Sequence, residues 1–273
     1  MKFILTNSSI NEETLLKSPF KLKNKRIGAF NFIVENIDDI LETNSHCSIT
    51  DGYLRDLNSA IQNPNLHTIQ AVEQIQSGWP VSENITGSFS TTIIDKNSLE
   101  ITLCNDLIGV YPLFYLLRDK DVFVSNSIFL MAYISNCKFD EVGIAQRCIG
   151  PEYSNMGSRT ILKDCKRLLP GEYLKIDFFG NILQTKYDNS LYQNISSSHQ
   201  NHDLYKDYWA QYKKEIDCCL IGNSEGNIAL SGGMDSRLLL GDISNNNNII
   251  CLTFGETDNL ETKIASRIEK LKK

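Results

Sequence analysis

The sequence lacks the features that mark several large classes of protein. Nowhere in its 273 residues does an apolar run approach the ~20 residues that a membrane-spanning helix needs. The apolar start, Phe3-Ile4-Leu5, turns polar before Ile10 and is too short for a signal-peptide core. Positive charge is not in excess: 27 Lys and Arg face 33 Asp and Glu, a net charge of −6. Without a basic patch, nucleic acid is not an expected partner, and neither is a membrane. Histidine is scarce, with four in all. His199 and His202 lie three apart, but in a polar stretch with no nearby third ligand, so they read as solvated side chains and not as a metal pair. No C-x-x-C pair occurs among the eight cysteines. Scattered through mainly apolar segments, they read as buried free thiols, which places the chain in a reducing cytoplasm.

What is present is the composition of a folded protein, 41% hydrophobic and 22% charged. The first two thirds read mainly as strands and turns. Leu99–Asn105 alternates apolar and polar residues, and Gly87–Asp95 before it is rich in β-branched side chains, with Asp95-Lys96-Asn97 turning one into the other. Leu113–Leu117, Asp121–Ser125 and Tyr173–Asp177 add strands, while helical spacing marks Tyr53–Ile61, Leu66–Gln76 and Ser127–Ile134. Strands with segregated helices predict an α+β domain over residues 1–188. Residues 189–202 lose periodicity and form a candidate linker. From residue 203 the pattern changes. Leu204, Tyr208, Tyr212, Ile216 and Leu220 recur every four residues as one helical face. Strand (Asn227–Leu230), helix (Ser236–Ile243), strand (Ile249–Phe254) and helix (Asn259–Leu271) then follow in turn. That alternation predicts a parallel α/β sheet with right-handed crossovers. Two parallel strands cannot be buried on both faces, so 203–273 is expected to be the amino-terminal part of a larger domain.

Ser231-Gly232-Gly233-Met234-Asp235-Ser236 falls where the first of these strands meets the following helix. Ligands of open α/β sheets bind at that end. Adjacent glycines let backbone N–H groups approach a phosphate, and the helix dipole adds partial positive charge there. Ser231 and Ser236 can donate hydroxyl hydrogen bonds to phosphate oxygens. Asp235 would repel bare phosphate, so its natural role is to hold a Mg²⁺ that bridges phosphates. A plain glycine turn with a helix cap needs only part of this string. The loop has no Gly-Lys-Ser/Thr ending and is not a Walker A loop.

The string resembles the SGGxDS loop of the PP-loop ATP pyrophosphatases. The amino-terminal half narrows the resemblance. Gly87-Ser88-Phe89-Ser90, then Ile94-Asp95, then Asn105-Asp106-Leu107-Ile108-Gly109-Val110-Tyr111-Pro112-Leu113-Phe114-Tyr115 is similar to the G-x-F-A…D…R-D-x-x-G-x-x-P-L-Y-Y series of the asparagine synthetase B family. Ser48–Leu57 resembles its NGEIYN segment, Ser125–Ile128 its ASE segment, and Arg159–Ile161 with Leu168–Tyr173 its T…LPPGH segment. Thr253-Phe254-Gly255 and Glu261-x-x-x-Ala265 match its second strand and following helix, so the likeness runs from about Ile49 to Lys273. It implies an Ntn-hydrolase-like amino-terminal domain and the start of an adenine-nucleotide-binding domain. By the same resemblance ATP and Mg²⁺ are the expected cofactors. Leu230, Ser231, Gly232, Gly233, Asp235, Ser236, Phe254 and Gly255 would bind ATP and its pyrophosphate, with Asp235 on the metal. The Leu230 and Phe254 backbones would line the adenine pocket.

The departures matter as much. The family's glutaminases carry a nucleophilic cysteine directly after the initiator methionine, and here that position is Lys2, with no cysteine before Cys47. The family's Asn-Gly oxyanion element reads Asp51-Gly52, an anion in place of an amide donor. Leu66–Ile69 lacks the expected aspartate. These losses imply no glutaminase activity and no catalytic residue in this domain. The combination resembles β-lactam synthetases and lasso-peptide macrolactam cyclases, whose amine belongs to the substrate. The expected function is an ATP-dependent, AMP-forming amide ligase acting on a small-molecule or peptide carboxylate. A cyclase of that kind, or a non-catalytic nucleotide-binding homologue, is the alternative.

Overall fold

A computed structural model describes residues 1–56, 63–79, 85–150, 156–188, 204–221, 225–243, 248–256 and 259–272. In chain order the first elements are β1 (Phe3–Thr6), α1 (Glu12–Leu16), β2 (Lys23–Ile27), β3 (Phe30–Val34), β4 (Ile40–Glu42), β5 (His46–Asp56) and α2 (Pro64–Ser77). Then come β6 (Ile85–Asp95), β7 (Ile101–Asn105), β8 (Phe114–Arg118), β9 (Asp121–Ser125), α3 (Ile128–Ser135), α4 (Glu141–Ile149), β10 (Cys165–Arg167), β11 (Glu172–Ile176) and β12 (Ile182–Tyr187). They form two six-stranded antiparallel sheets, β10-β8-β9-β1-β3-β2 and β12-β11-β7-β6-β5-β4.

Because side chains alternate faces along a strand, each sheet buries two sets of residues. Phe3, Leu5, Phe30, Phe32 and Val34 from the first sheet meet Cys47, Ile49, Ile94, Ile101, Leu103 and Leu174 from the second in a central core. On its outer face the first sheet packs Ile4, Ile33 and Leu116 against Leu130 and Met131 of α3. The second sheet packs Leu54, Phe89, Ile93 and Cys104 against Ala71, Val72 and Ile75 of α2. Helix, sheet, sheet, helix is therefore the layer order. This is an α+β architecture of antiparallel sheets, as the Ntn-hydrolase-like expectation requires.

A second group of elements follows: α5 (Leu204–Leu220), β13 (Glu225–Ala229), α6 (Met234–Asp242), β14 (Asn248–Leu252) and α7 (Leu260–Lys272). β13 and β14 pair in parallel, as strand–helix–strand order dictates. Ile216, Ile228, Leu230, Leu240, Ile243 and Ala265 make a small core of their own. By contact density the chain divides into one unit of Met1–Ser59 with Asn65–Ser198 and another of His199–Lys273 with Ala60–Pro64. The expected linker over 189–202, with His199 and His202, lies outside the described residues.

Two expectations change. The helix read over Tyr53–Ile61 is strand as far as Asp56, and the remainder lies outside the described residues. Tyr53 to Asp56 continue an unbroken register with β6, from Tyr53 opposite Ser88 to Asp56 opposite Ile85. The helix-like spacing of Leu54 arises because it packs on α2. The thiols are free but not all buried: Cys47, Cys104, Cys165 and Cys218 are, Cys137 is half-buried, and Cys148, Cys219 and Cys251 are exposed. The apolar letters around an exposed cysteine do not say which face of its element it occupies.

Candidate functional site

The loop leaves β13 buried and enters α6 exposed. Leu230 is 3% exposed, its N–H donating to Leu252 O at 2.8 Å and its carbonyl accepting from Thr253 Oγ1 at 2.8 Å. These two bonds fix the ends of β13 and β14 side by side, so Ser231 and Phe254 emerge at the same edge of the sheet. Thr253 was legible in the sequence as part of a matched string, but its role as the tie across the two strand ends was not.

Beyond Leu230 the loop folds on its own hydroxyls. Ser231 Oγ and Ser236 Oγ lie 3.1 Å apart, and the Ser231 N–H donates to Ser236 Oγ at 3.1 Å. The Gly233 N–H donates to Ser231 Oγ at 3.1 Å. Both glycines sit in tight surroundings. A Cβ on Gly232 would stand 3.2 Å from Ile264 Cδ1 and 3.3 Å from Glu261 Cα of α7, and one on Gly233 would stand 3.1 Å from Ser231 Oγ. A side chain at either position would have to push a neighbour aside by a few tenths of an ångström. Asp235 lies exposed in the first turn of α6. One carboxylate beside a phosphate cradle suits Mg²⁺, which keeps most of its ligands as water and phosphate oxygens. No group of three or more His, Cys, Asp and Glu side chains able to hold a metal exists among the described residues. Arg237, also exposed, donates its Nε–H to Gly233 O at 3.1 Å. Phe254 is 77% exposed, and Gly255 takes φ +140°, where a Cβ would run into the Asn259 amide. The residue types present suit a nucleoside triphosphate: two hydroxyls and two glycines in one loop, with a single carboxylate at its flank.

The amidotransferase-type segments gather in the first unit. Asp106 acts as a pin, its Oδ2 accepting from the Phe89 N–H at 2.9 Å and its Oδ1 from the N–H groups of Ile108 and Gly109, both at 2.8 Å. Arg167 Nη2 donates to Gly109 O at 3.0 Å, closing the turn that carries Tyr111. Gly52, at φ +88°, would place a Cβ 2.1 Å from Ser88 O and 2.5 Å from the Tyr111 ring. Only glycine allows that packing. At the amino end of β1 the Lys2 ammonium sits 3.9 Å above the Phe20 ring, with no thiol at that position. Asp51 Oδ2 accepts from Asn126 Nδ2 at 2.7 Å. The same Nδ2 donates to Met1 O at 2.9 Å, and Asn126 Oδ1 accepts from the Phe3 N–H at 3.0 Å. Sequence reading named Asn126 only as part of a loose match. Its role as the knot between β1, β5 and β9 is visible only in three dimensions.

Comparison with known proteins fits this arrangement. Residues 69–188 match the family described as glutamine amidotransferase domain. Over 197 residues, 67% of the chain, the sequence is 25% identical to asparagine synthetase [glutamine-hydrolyzing] 2 of Bacillus subtilis (strain 168). The match covers 26% of that protein, so the chain spans about a quarter of its length. Among solved structures, glutamine phosphoribosylpyrophosphate amidotransferase from B. subtilis, complexed with ADP and GMP, aligns at TM-score 0.35 and 11% identity over 59% of this chain and 35% of that one. A structure titled the allosteric regulatory enzyme of purine biosynthesis aligns at TM-score 0.35 and 10% identity over 68% of this chain and 42% of that one. At those scores the structural likenesses add nothing to the fold already described. Residues 69–188, in the first unit, thus match a glutamine amidotransferase domain, and the chain is similar over two thirds of its length to an asparagine synthetase.

Proposed function

We propose that the chain carries the ATP site of an asparagine synthetase-like ligase, which adenylates a carboxylate with release of pyrophosphate and forms an amide without hydrolysing glutamine. The observation that carries the reading is the Ser231–Ser236 cradle between β13 and α6, with Thr253 tying the second strand end to it. Ser231, Gly232, Gly233 and Ser236 would hold the pyrophosphate of ATP, Asp235 the Mg²⁺, and Leu230, Phe254 and Gly255 the nucleoside side. Bound ATP supplies AMP as a good leaving group on the carboxylate. The chain's own part is to orient the phosphates and keep that leaving charge on fixed N–H and O–H donors.

Lys2 at the amino end of β1 and Asp51 beside Asn126 favour an amine that does not come from glutamine. The same pair of features favours, as a second reading, a cyclase whose amine lies on its own substrate. We place the chain in the cytoplasm, a reading supported by its eight free cysteines. No helix among the described residues is long and apolar enough to cross a membrane.

The test is ATP–pyrophosphate exchange by the full-length protein with Mg²⁺ and candidate carboxylates, alongside glutamate release from glutamine. Carboxylate-dependent exchange with no glutamate release is expected, and Asp235→Ala should lower exchange at least ~100-fold, the scale of losing a transition-state contact. Exchange that survives Asp235→Ala, or no exchange with any carboxylate, sinks the proposal. Asparagine made from aspartate and ammonium would exclude the cyclase reading.

A further inference from the structure

Three departures from the asparagine synthetase B pattern fall in one row of the fold. Asp51 stands where that pattern has Asn, Ser90 where it has Ala, and Asn105 where it has Arg. In the strand register Asp51 lies opposite Ser90, and Ser90 lies opposite Asn105. Directly opposed residues of an antiparallel pair project to the same face. Here it is the face between the two sheets: Ile49, Leu103 and Ile94, an even number of steps along each strand, belong to the central core. Asn105 Nδ2 donates to Leu168 O in that core at 3.2 Å, and Asp51 reaches Asn126 from the facing sheet.

Asp51 is half-buried, while the other two members of the row are sealed from solvent and incompletely bonded. Ser90 and Asn105 are both 0% exposed, yet Ser90 Oγ and Asn105 Oδ1 have no hydrogen-bond partner among the described residues. Thr92 Oγ1, two residues along the same face, is in the same condition. Buried polar groups are as a rule paired, and leaving one unpaired is costly. The unmet groups are one amide oxygen and two hydroxyls, beside a carboxylate whose Oδ2 already accepts from Asn126. The amide oxygen can only accept and the hydroxyls can accept as well as donate, so a ligand carrying N–H donors would meet all of them. Relative to the family pattern the row has lost one cation and gained one anion, so they also call for positive charge. Such a ligand must be small, because opposed Cβ atoms stand only about 5 Å apart. The chain's own nearby cations are used elsewhere: the Met1 amino group faces Glu35 at 3.9 Å and Lys2 lies over Phe20.

We propose that the Asp51–Ser90–Asn105 row is a binding site for a small protonated amine, an ammonium ion or the –NH₃⁺ of a primary amine. The Ser90 hydroxyl, Asn105 Oδ1 and the Asp51 carboxylate accept its N–H groups, and Asp51 balances its charge. The inference stands apart from the nucleotide reading, since neither its residues nor its test involve ATP.

The experiment is an NMR titration of the full chain with methylammonium chloride and with ¹⁵N-ammonium chloride, at ionic strength held constant with sodium chloride. Saturable shifts centred on Asp51, Ser90 and Asn105 are expected, at least tenfold weaker in Asp51→Asn and also weakened in Ser90→Ala. Ser90→Ala removes one oxygen from a packed site and keeps the test decisive if Asp51→Asn fails to fold. Absence of saturable binding, binding unchanged in Ser90→Ala, or equal competition by potassium would each overturn the assignment. So would a crystal structure grown in ammonium salt with only water in the row.

Discussion

Cys47, Cys104 and Cys165 are buried in strands of the first unit, and burial raises all three thiols above the ordinary cysteine range, Cys47 and Cys165 to about 12. A thiol reacts as its thiolate, so these three are inert at neutral pH for two reasons, access and charge. Cys148, Cys219 and Cys251 are exposed. Brief iodoacetamide treatment of the folded protein at pH 8 should therefore label those three and spare Cys47, Cys104 and Cys165 until denaturant is added. Peptide mass spectrometry reads the pattern directly, and labelling of Cys104 in the folded state would contradict the packing. At this scale the sequence is informative about chemistry and poor about position. The absence of paired spacing correctly indicates free thiols. Which thiols face outward depends on register, and no letter in the chain reports that. The same holds for the loop: the hydroxyls of Ser231 and Ser236 were legible, but their mutual 3.1 Å contact was not.

Among the elements, β2 and β4 sit at the ends of different sheets and are joined by a charge cluster. Glu42 accepts from Lys25 at 2.8 Å and from Lys96, at the β6–β7 turn, at 2.7 Å. These lysine hydrogen bonds, Lys25 first, hold the Glu42 carboxyl below its usual pKa. A depressed carboxylate contributes stability above its unfolded pKa and loses it as pH falls through the folded value. Glu42 is 39% exposed, so solvent screens the pair and the contribution stays below about 1 kcal/mol. Glu42→Gln should destabilise the protein by that small amount at pH 7 and by nothing once the pH is low enough to protonate Glu42. Urea midpoints of both proteins across that range test it, and a gap that persists in acid would exclude the linkage. β7 was legible because Ile101 and Leu103 alternate with Thr102 and Cys104, and β6 because it is rich in β-branched residues. β5 was misread from Tyr53 because Leu54, Arg55 and Asp56 are all buried, apolar and charged alike, so its carboxyl end carries no alternation. β1, wholly buried in the middle of its sheet, carries no alternation to detect.

At the level of the whole molecule the two units differ in how their sheets are covered. The first unit encloses its central core between two sheets and places helices outside both. The second has one parallel pair, and among the described residues β14 pairs only with β13. Parallel sheets are ordinarily buried on both faces, and a two-stranded pair alone is marginal. Ile250 and Leu252 of β14 are accordingly 56% and 47% exposed. Opening of a local segment is governed by how much apolar surface it buries, so the β13–β14 amides should exchange with deuterium well before those of β6 and β7. The proposed nucleotide cradle lies at the carboxyl ends of this weakly covered pair, and under that proposal its placement couples stability to ligand. A ligand that binds only the folded unit at a hundred times its Kd adds about 2.7 kcal/mol. Hydrogen exchange on the full chain with and without Mg²⁺-ATP should therefore show fast exchange in β13, β14 and the Ser231–Ser236 loop, slowed roughly 100-fold by nucleotide, while β6 and β7 stay unchanged. Protection of β14 equal to that of β6 without nucleotide would show the exposed strand to be covered. Slowing spread evenly over both units would show that the nucleotide acts elsewhere than the cradle.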